Sequence, residues 1–184
     1  MTYADYPLTV YAFHGCSREV AEAVLAGETE LKPSRNAYDW IGSGVYFWEN
    51  APERALRWAE SMHTKNPAVI GAVVSLGHCL NLMDKSSNAP LSDAFRLVSG
   101  LFADKGEQMP ANVRKLHYRD ALVVNAAHSM ADASGQPYDT VRAAFIEGNP
   151  VFDGSTIMAD THIQLCVRNP KKSIIAYFRP RGGC

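Results

Sequence analysis

The sequence predicts an α+β domain built on a largely antiparallel sheet, with flanking helices and a helical insertion. Strand-like segments cluster towards the two ends of the chain, and helical periodicity fills residues 86–135. Regular alternation of strand and helix, the mark of a parallel sheet, is missing. The 184 residues suit one domain, 1–184, and a hydrophobic fraction of 47% is enough for a core.

Residues 8–13 alternate β-branched and aromatic side chains and read as a first strand ending at His14-Gly15. Ser17 is placed to cap a helix whose apolar stripe is Val20, Val24 and Leu25 and whose stop is Gly27. Residues 32–44 are rich in turn formers, and 44–48 make a short aromatic strand. Asn50 or Pro52 opens a second helix, with Ala55, Leu56, Trp58 and Ala59 on its buried side. Residues 69–76 are an apolar run of strand length, and 79–83 read as a further strand. Helices are expected over 88–105 and 111–133, the second ended by Gly135-Gln136-Pro137. Residues 139–146, 161–167 and 173–178 complete the strands.

Bulk properties narrow the function classes. A net charge of −1 argues against non-specific adhesion to nucleic acid or anionic membrane. The local basic cluster is Arg168, Lys171, Lys172, Arg179 and Arg181. Cys16, Cys79, Cys166 and Cys184 have neither CxxC nor zinc-ribbon spacing and read as reduced thiols of a cytoplasmic protein. Residues 1–7 lack a basic, then apolar, leader, and no run reaches membrane-span length. Cys184 is not part of a prenylation box. Histidine spacing gives no HExxH and no deaminase signature, so no metal is expected. P-loop, Rossmann and GxSxG signatures are absent, and a Cys16–His dyad has no local signature.

Two segments carry chemistry. One is Tyr11-Ala12-Phe13-His14-Gly15-Cys16. The other runs Asp39-Trp40-Ile41-Gly42-Ser43-Gly44-Val45-Tyr46-Phe47-Trp48-Glu49 and leads into Glu53-Arg54-Ala55-Leu56-Arg57-Trp58-Ala59. A strand ending in His-Gly puts one polar ring beside backbone that a ligand can approach closely. The Gly-x-Gly-x-Tyr-Phe turn adds aromatic faces. An amide on an aromatic ring, nicotinamide, suits both, its carboxamide on the Gly15 backbone and its ring on Tyr46.

These segments resemble the ADP-ribosyltransferase superfamily, on the branch of the poly(ADP-ribose) polymerases and diphtheria-type toxins. The likeness covers residues 8–82 well and 139–180 more loosely, and the helical block between has no counterpart in it. It implies a split, mostly antiparallel sheet, NAD+ as a consumed co-substrate and no metal. His14 would bind the nicotinamide-side ribose hydroxyl, Gly15 the carboxamide, Tyr46 one ring face, and Gly44 would shape the turn beside them. Trp58 stands where the family often has a second stacking tyrosine.

The family's third element is a glutamate on a late strand, and here Gln164 falls at that place, with His162 two residues away on the same strand face. A neutral amide can accept the ribose hydrogen bond but supplies no negative charge. Transfer of a single ADP-ribose, plain NAD+ hydrolysis or inactivity is therefore expected rather than polymer synthesis. Glu147, before the loop 148–160, is a candidate general base for the acceptor, with Asp153 and Asp160 competing for that role. Arg142 is a candidate for the NAD+ diphosphate or for ordering that loop. Each residue also has a packing alternative: a core ring for His14, a helix anchor for Trp58, an ion pair with Asp139 or Glu147 for Arg142. Tyr38, Asp39 and Trp40 form either a plain turn or a lid.

The expected function is NAD+-dependent mono-ADP-ribosyl transfer to a protein, nucleic acid or small molecule, with nicotinamide released. The resemblance suits a bacterial or phage effector or toxin with a macromolecular target and an antitoxin partner. Two alternatives stand beside it. One is a catalytically quiet module that binds NAD+, ADP-ribose or a partner. The other is an RNA 2′-phosphotransferase on the same fold, disfavoured by the near-neutral charge.

Overall fold

The computed structural model describes residues 5–62, 65–114 and 116–181. Cys184 and residues 1–4, which bear on the prenylation and leader expectations, lie outside the described residues. Strand β1 (Asp5–Ser17) is longer than its alternating segment because it pairs along its length with β3 (Pro67–Asn81), from Asp5↔His78 to Ser17↔Pro67. Helix α1 (Arg18–Leu25) follows, capped by the Ser17 side chain, which accepts from the Val20 N–H at 3.4 Å. Gly27, at φ 74°, turns the chain out of it in a backbone region that favours glycine. β2 (Val45–Glu49) leads into α2 (Pro52–Ser61), with Pro52 in its first turn.

Two sequence expectations change here. Ala55 and Ala59 are buried on α2, but Trp58 is 42% exposed. The helix lies so close to β1 that a Cβ on Gly15 would sit 2.1 Å from the Ala55 carbonyl oxygen, which leaves room only for small residues between them. The two expected strands at 69–76 and 79–83 are one strand, β3. Gly77 adopts φ 54°, and the pairing with β1 shifts register there, between Tyr6 and Thr9, but the strand continues. Asp139 N–H donates to the His78 carbonyl at 2.8 Å and its carboxylate accepts from His78 N–H at 3.0 Å, which carries the strand past the kink.

After β3 come a 3-10 turn (Lys85–Ser87) and the helical hairpin α3 (Asn88–Asp104) and α4 (Tyr118–Ala133). α4 starts later than periodicity suggests. The Asn112 side chain takes the Arg119 and Asp120 N–H groups, and Val113 and Leu116 bridge each other in a turn. The chain ends with β4 (Thr140–Phe145), β5 (His162–Val167), a helical turn α5 (Pro170–Ser173) and β6 (Ile174–Phe178).

The sheet order is β1-β2-β5-β4-β3-β6, with β1 also bonded to β3. β1, β2, β5, β4 and β3 therefore close into a ring, and β6 hangs on its edge. Only β3–β4 is parallel, so the sheet is largely antiparallel, as expected. One face buries Val10, Ala12, Phe47, Ile70 and Leu165 against α1. The other buries Ile41, Leu80, Val141 and Cys166 against Val124 of α4, and Trp48 and Val69 against α2. Three residues of the basic cluster each face a carboxylate: Arg168 with Asp132, Lys172 with Asp139, Arg179 with Glu22. Among the described residues no helix is long and apolar enough to cross a membrane.

Candidate functional site

Strands β1 and β2 pair only at Ala12↔Glu49 and Phe13↔Trp48. Beyond Phe13, β1 runs on beside β3 and β2 runs on beside β5, so the sheet splits at His14. The His14 imidazole spans the split. Its Nδ1 lies 2.7 Å from the Tyr46 carbonyl oxygen, which can only accept, so Nδ1 carries the proton. Burial holds the ring's pKa below the ordinary histidine value, and the neutral ring leaves Nε2 as an acceptor. Among the described residues no side chain or backbone group bonds that Nε2.

Cross-strand partners of an antiparallel pair share a face. The register Tyr46↔Cys166, Trp48↔Gln164, Ala143↔Gln164 and Phe145↔His162 therefore puts Tyr46, Trp48, His162, Gln164 and Phe145 together on the α2/α4 face. There Trp40 Nε1 donates to Gln164 Oε1 at 2.8 Å, and Gln164 Nε2 lies 3.0 Å from His162 Nε2. His162 Nδ1 is 2.7 Å from the Asp160 carbonyl oxygen. Burial lowers the His162 pKa, Arg54 adds to that, and the Asp160 carbonyl and Glu147 pull the other way.

Trp40 is placed by its turn. The Asp39 carboxylate accepts from Asn36 N–H at 2.7 Å, and Gly42 N–H donates to the Asp39 carbonyl at 2.8 Å. Asn125 of α4 takes the Ser43 N–H at 3.1 Å, so the helical insertion holds this turn against the sheet. The indole then packs against Phe145 and His117, with ring centroids 5.1 and 5.8 Å away. These three rings, with Arg114, Asp120 and Glu147, line a cleft of about 660 Å³.

The cleft's acidic edge is tied to α2. Arg54 donates through Nε and Nη2 to the same Glu147 oxygen, at 3.1 and 2.6 Å, while its guanidinium lies 5.4 Å from the centre of a Trp48 ring. One turn further on, Arg57 pairs with Asp160 at 2.7 Å. Arg54 and Arg57 thus hold both ends of the loop between Glu147 and Asp160, whose backbones also bond at 3.1 Å. The sequence signal for this is the Arg-x-x-Arg spacing on α2, which puts both guanidinium groups on one side of the helix. Phe145 and His117 gave no local signal, because the insertion and the sheet meet only in three dimensions.

The sequence-predicted residues thus divide. Gln164, His162 and Glu147 come together, with His162 Nδ1 3.8 Å from the nearer Glu147 oxygen. His14 meets Tyr46 through the backbone alone. The Tyr46 ring turns to the α4 side, where its hydroxyl donates to the Gly42 carbonyl at 2.8 Å. Gly44 packs on β5, where a Cβ would lie 2.5 Å from Cys166 Sγ. Trp58 lies over Trp48, centroids 5.8 Å apart.

Arg142 sits on the opposite face, and its expected partners, a diphosphate, Asp139 or Glu147, are replaced by Glu49. Both carboxylate oxygens of Glu49 accept from it, at 2.6 and 2.8 Å. Alternation along β4 turns Arg142 inward beside Leu165, away from the loop it was expected to order.

No family model, curated protein or solved structure matches the chain.

Proposed function

We propose that this chain is an NAD+-dependent mono-ADP-ribosyltransferase. The observation that carries the proposal is the split of the sheet at His14, bridged by the bond from His14 Nδ1 to the Tyr46 carbonyl. A ring held neutral, with its free nitrogen an acceptor, suits a ribose hydroxyl better than an anion. Gly15 borders the same split, buried beneath α2 with no room for a side chain, and the proposal assigns the carboxamide to its backbone.

Position 164 sets the kind of chemistry. Glutamate there would stabilise the positive charge that builds on the ribose as the bond from C1′ to nicotinamide breaks. Gln164 supplies no such charge, and the carboxylate nearest it through the His162 contact is Glu147. The reading is therefore one transfer per acceptor: the acceptor nucleophile bonds to C1′, nicotinamide leaves with the bonding pair, and Glu147 takes the acceptor's proton. Both oxygen contacts from Arg54 fall on Oε1, which leaves Oε2 for that task. Arg142 has no part in this proposal.

One observation favours a second reading. Both ends of the Gln164 amide are already engaged, by Trp40 and His162, as in a module that binds NAD+ or ADP-ribose without cleaving it. Nicotinamide release from NAD+ by the purified chain separates the two. The enzyme reading expects release that His14→Ala reduces at least about a hundred-fold. Binding by calorimetry without release supports the module, and neither binding nor release overturns both.

A further inference from the structure

We infer that Trp40 and His162 are positioning residues for Gln164, fixing its amide with the nitrogen towards His162 and the oxygen towards Trp40, in an arrangement that excludes a carboxylate. The inference deepens the NAD+ reading above and rests on it for its role in turnover, but the arrangement of hydrogen bonds stands on geometry alone.

The direction of every bond follows from which group can donate. An indole N–H only donates, so the Gln164 atom 2.8 Å from Trp40 Nε1 is the oxygen. A backbone carbonyl only accepts, so the His162 nitrogen 2.7 Å from Asp160 O carries the proton. The other nitrogen of the neutral ring must then accept, and the Gln164 atom 3.0 Å from it is the amide nitrogen. One proton arrangement satisfies Trp40, Gln164, His162 and Asp160 together. It leaves Gln164 one N–H to present to a ligand.

A carboxylate at 164 breaks this arrangement. It would set an oxygen against the lone pair of His162 Nε2, a repulsion relieved only if His162 takes up a proton. The groups facing His162 would then matter: Glu147 and Asp160 favour the cation and Arg54 opposes it. Glutamine avoids that choice, and the ring stays neutral. Trp40 also forms a wall of the 660 Å³ cleft, so a group entering the cleft touches the indole that holds the amide.

Two measurements on the full chain test the inference. Nitrogen-15 NMR of the histidines reads the network without turnover. Wild type is expected to show His162 as the neutral Nδ1–H tautomer, and Gln164→Glu to raise its pKa by about one unit or more. A His162 titration unmoved by Gln164→Glu overturns the arrangement.

Nicotinamide release then reads the positioning role. Trp40→Phe keeps the packing and removes the N–H. It is expected to lower kcat about ten-fold or more while KM for NAD+ stays within about two-fold. An unchanged kcat overturns the positioning role. A wild type that releases no nicotinamide overturns the transferase reading and that role together, while the NMR result still decides the arrangement.

Discussion

Arg142 and Glu49 are joined by two hydrogen bonds inside the strand ring, with side chains only 16% and 8% exposed. Removing one partner would strand the other's charge in that interior. Arg142→Ala is expected to destabilise the fold by about 3–5 kcal/mol. Arg142→Lys keeps the charge but loses the fork geometry, and is expected to fall between the two. Urea midpoints for both, with Glu49→Ala and the double variant, give the coupling directly. Arg142→Ala within about 1 kcal/mol of wild type would show that the pair holds nothing together.

Three histidines set the response to acid. Burial lowers the pKa of His14 and His162, and that of His128 to about 3. Each is neutral in the fold but takes a proton near its ordinary pKa of 6.5 once unfolded. Below that pH the unfolded chain binds more protons than the folded one, so stability falls as pH drops from 6.5 towards the folded-state values. Above about pH 7.5 these groups contribute no slope. The limiting slope is about 1.4 kcal/mol per pH unit for each histidine. Chemical denaturation from pH 7.5 to 5 measures it, and His128→Asn is expected to remove about a third. A flat profile over that range would contradict the three buried rings.

Gly15 and Gly100 make a paired test of what a methyl group meets. On Gly15 a Cβ would lie 2.1 Å from the Ala55 carbonyl oxygen, in backbone that cannot swing aside. Gly15→Ala is expected to cost about 1–3 kcal/mol through displacement of α2. On Gly100, inside α3, a Cβ meets nothing within 4 Å. Gly100→Ala is expected to stabilise by about 0.5–1 kcal/mol. Thermal melts of the two variants should move in opposite directions, and movement in the same direction would contradict the packing of α2 on β1.

Much of the fold was legible because it is written locally. Ser17, Gly27 and Pro52 mark helix ends through hydrogen bonds and backbone angles that act within a few residues, and they appear where expected. The strands of 140–145 and 162–167 follow from their β-rich runs. Continuity of β3 was not legible, because Gly77 is a local break that Asp139, just before β4, spans through its backbone and its carboxylate. Exposure of Trp58 was hidden for the same reason: the spacing on α2 admits a buried indole, and the closeness of β1 forbids it.

For the candidate site, residue types were legible and partners were not. Gln164 and His162 could be paired from strand alternation, since two residues apart means one face. Trp40 lies 124 positions from Gln164, and Arg54 lies 93 from Glu147, distances at which spacing carries no signal. The inward turn of Arg142 is not legible either, because strand parity alone does not say which face is the inner one.

The closed ring of strands also orders events during synthesis. β1, β2 and the helical hairpin leave the ribosome before β5, yet β5 is the strand that joins β2 to β4. Until it arrives, β2 has two residues of pairing and an open edge, and Trp40 lacks its amide partner. A nascent or truncated chain ending before residue 162 holds His14, Gly15 and Tyr46 but no closed ring. The network around Gln164 is thus the last part of the ring to be assembled, after every other strand of it has been made.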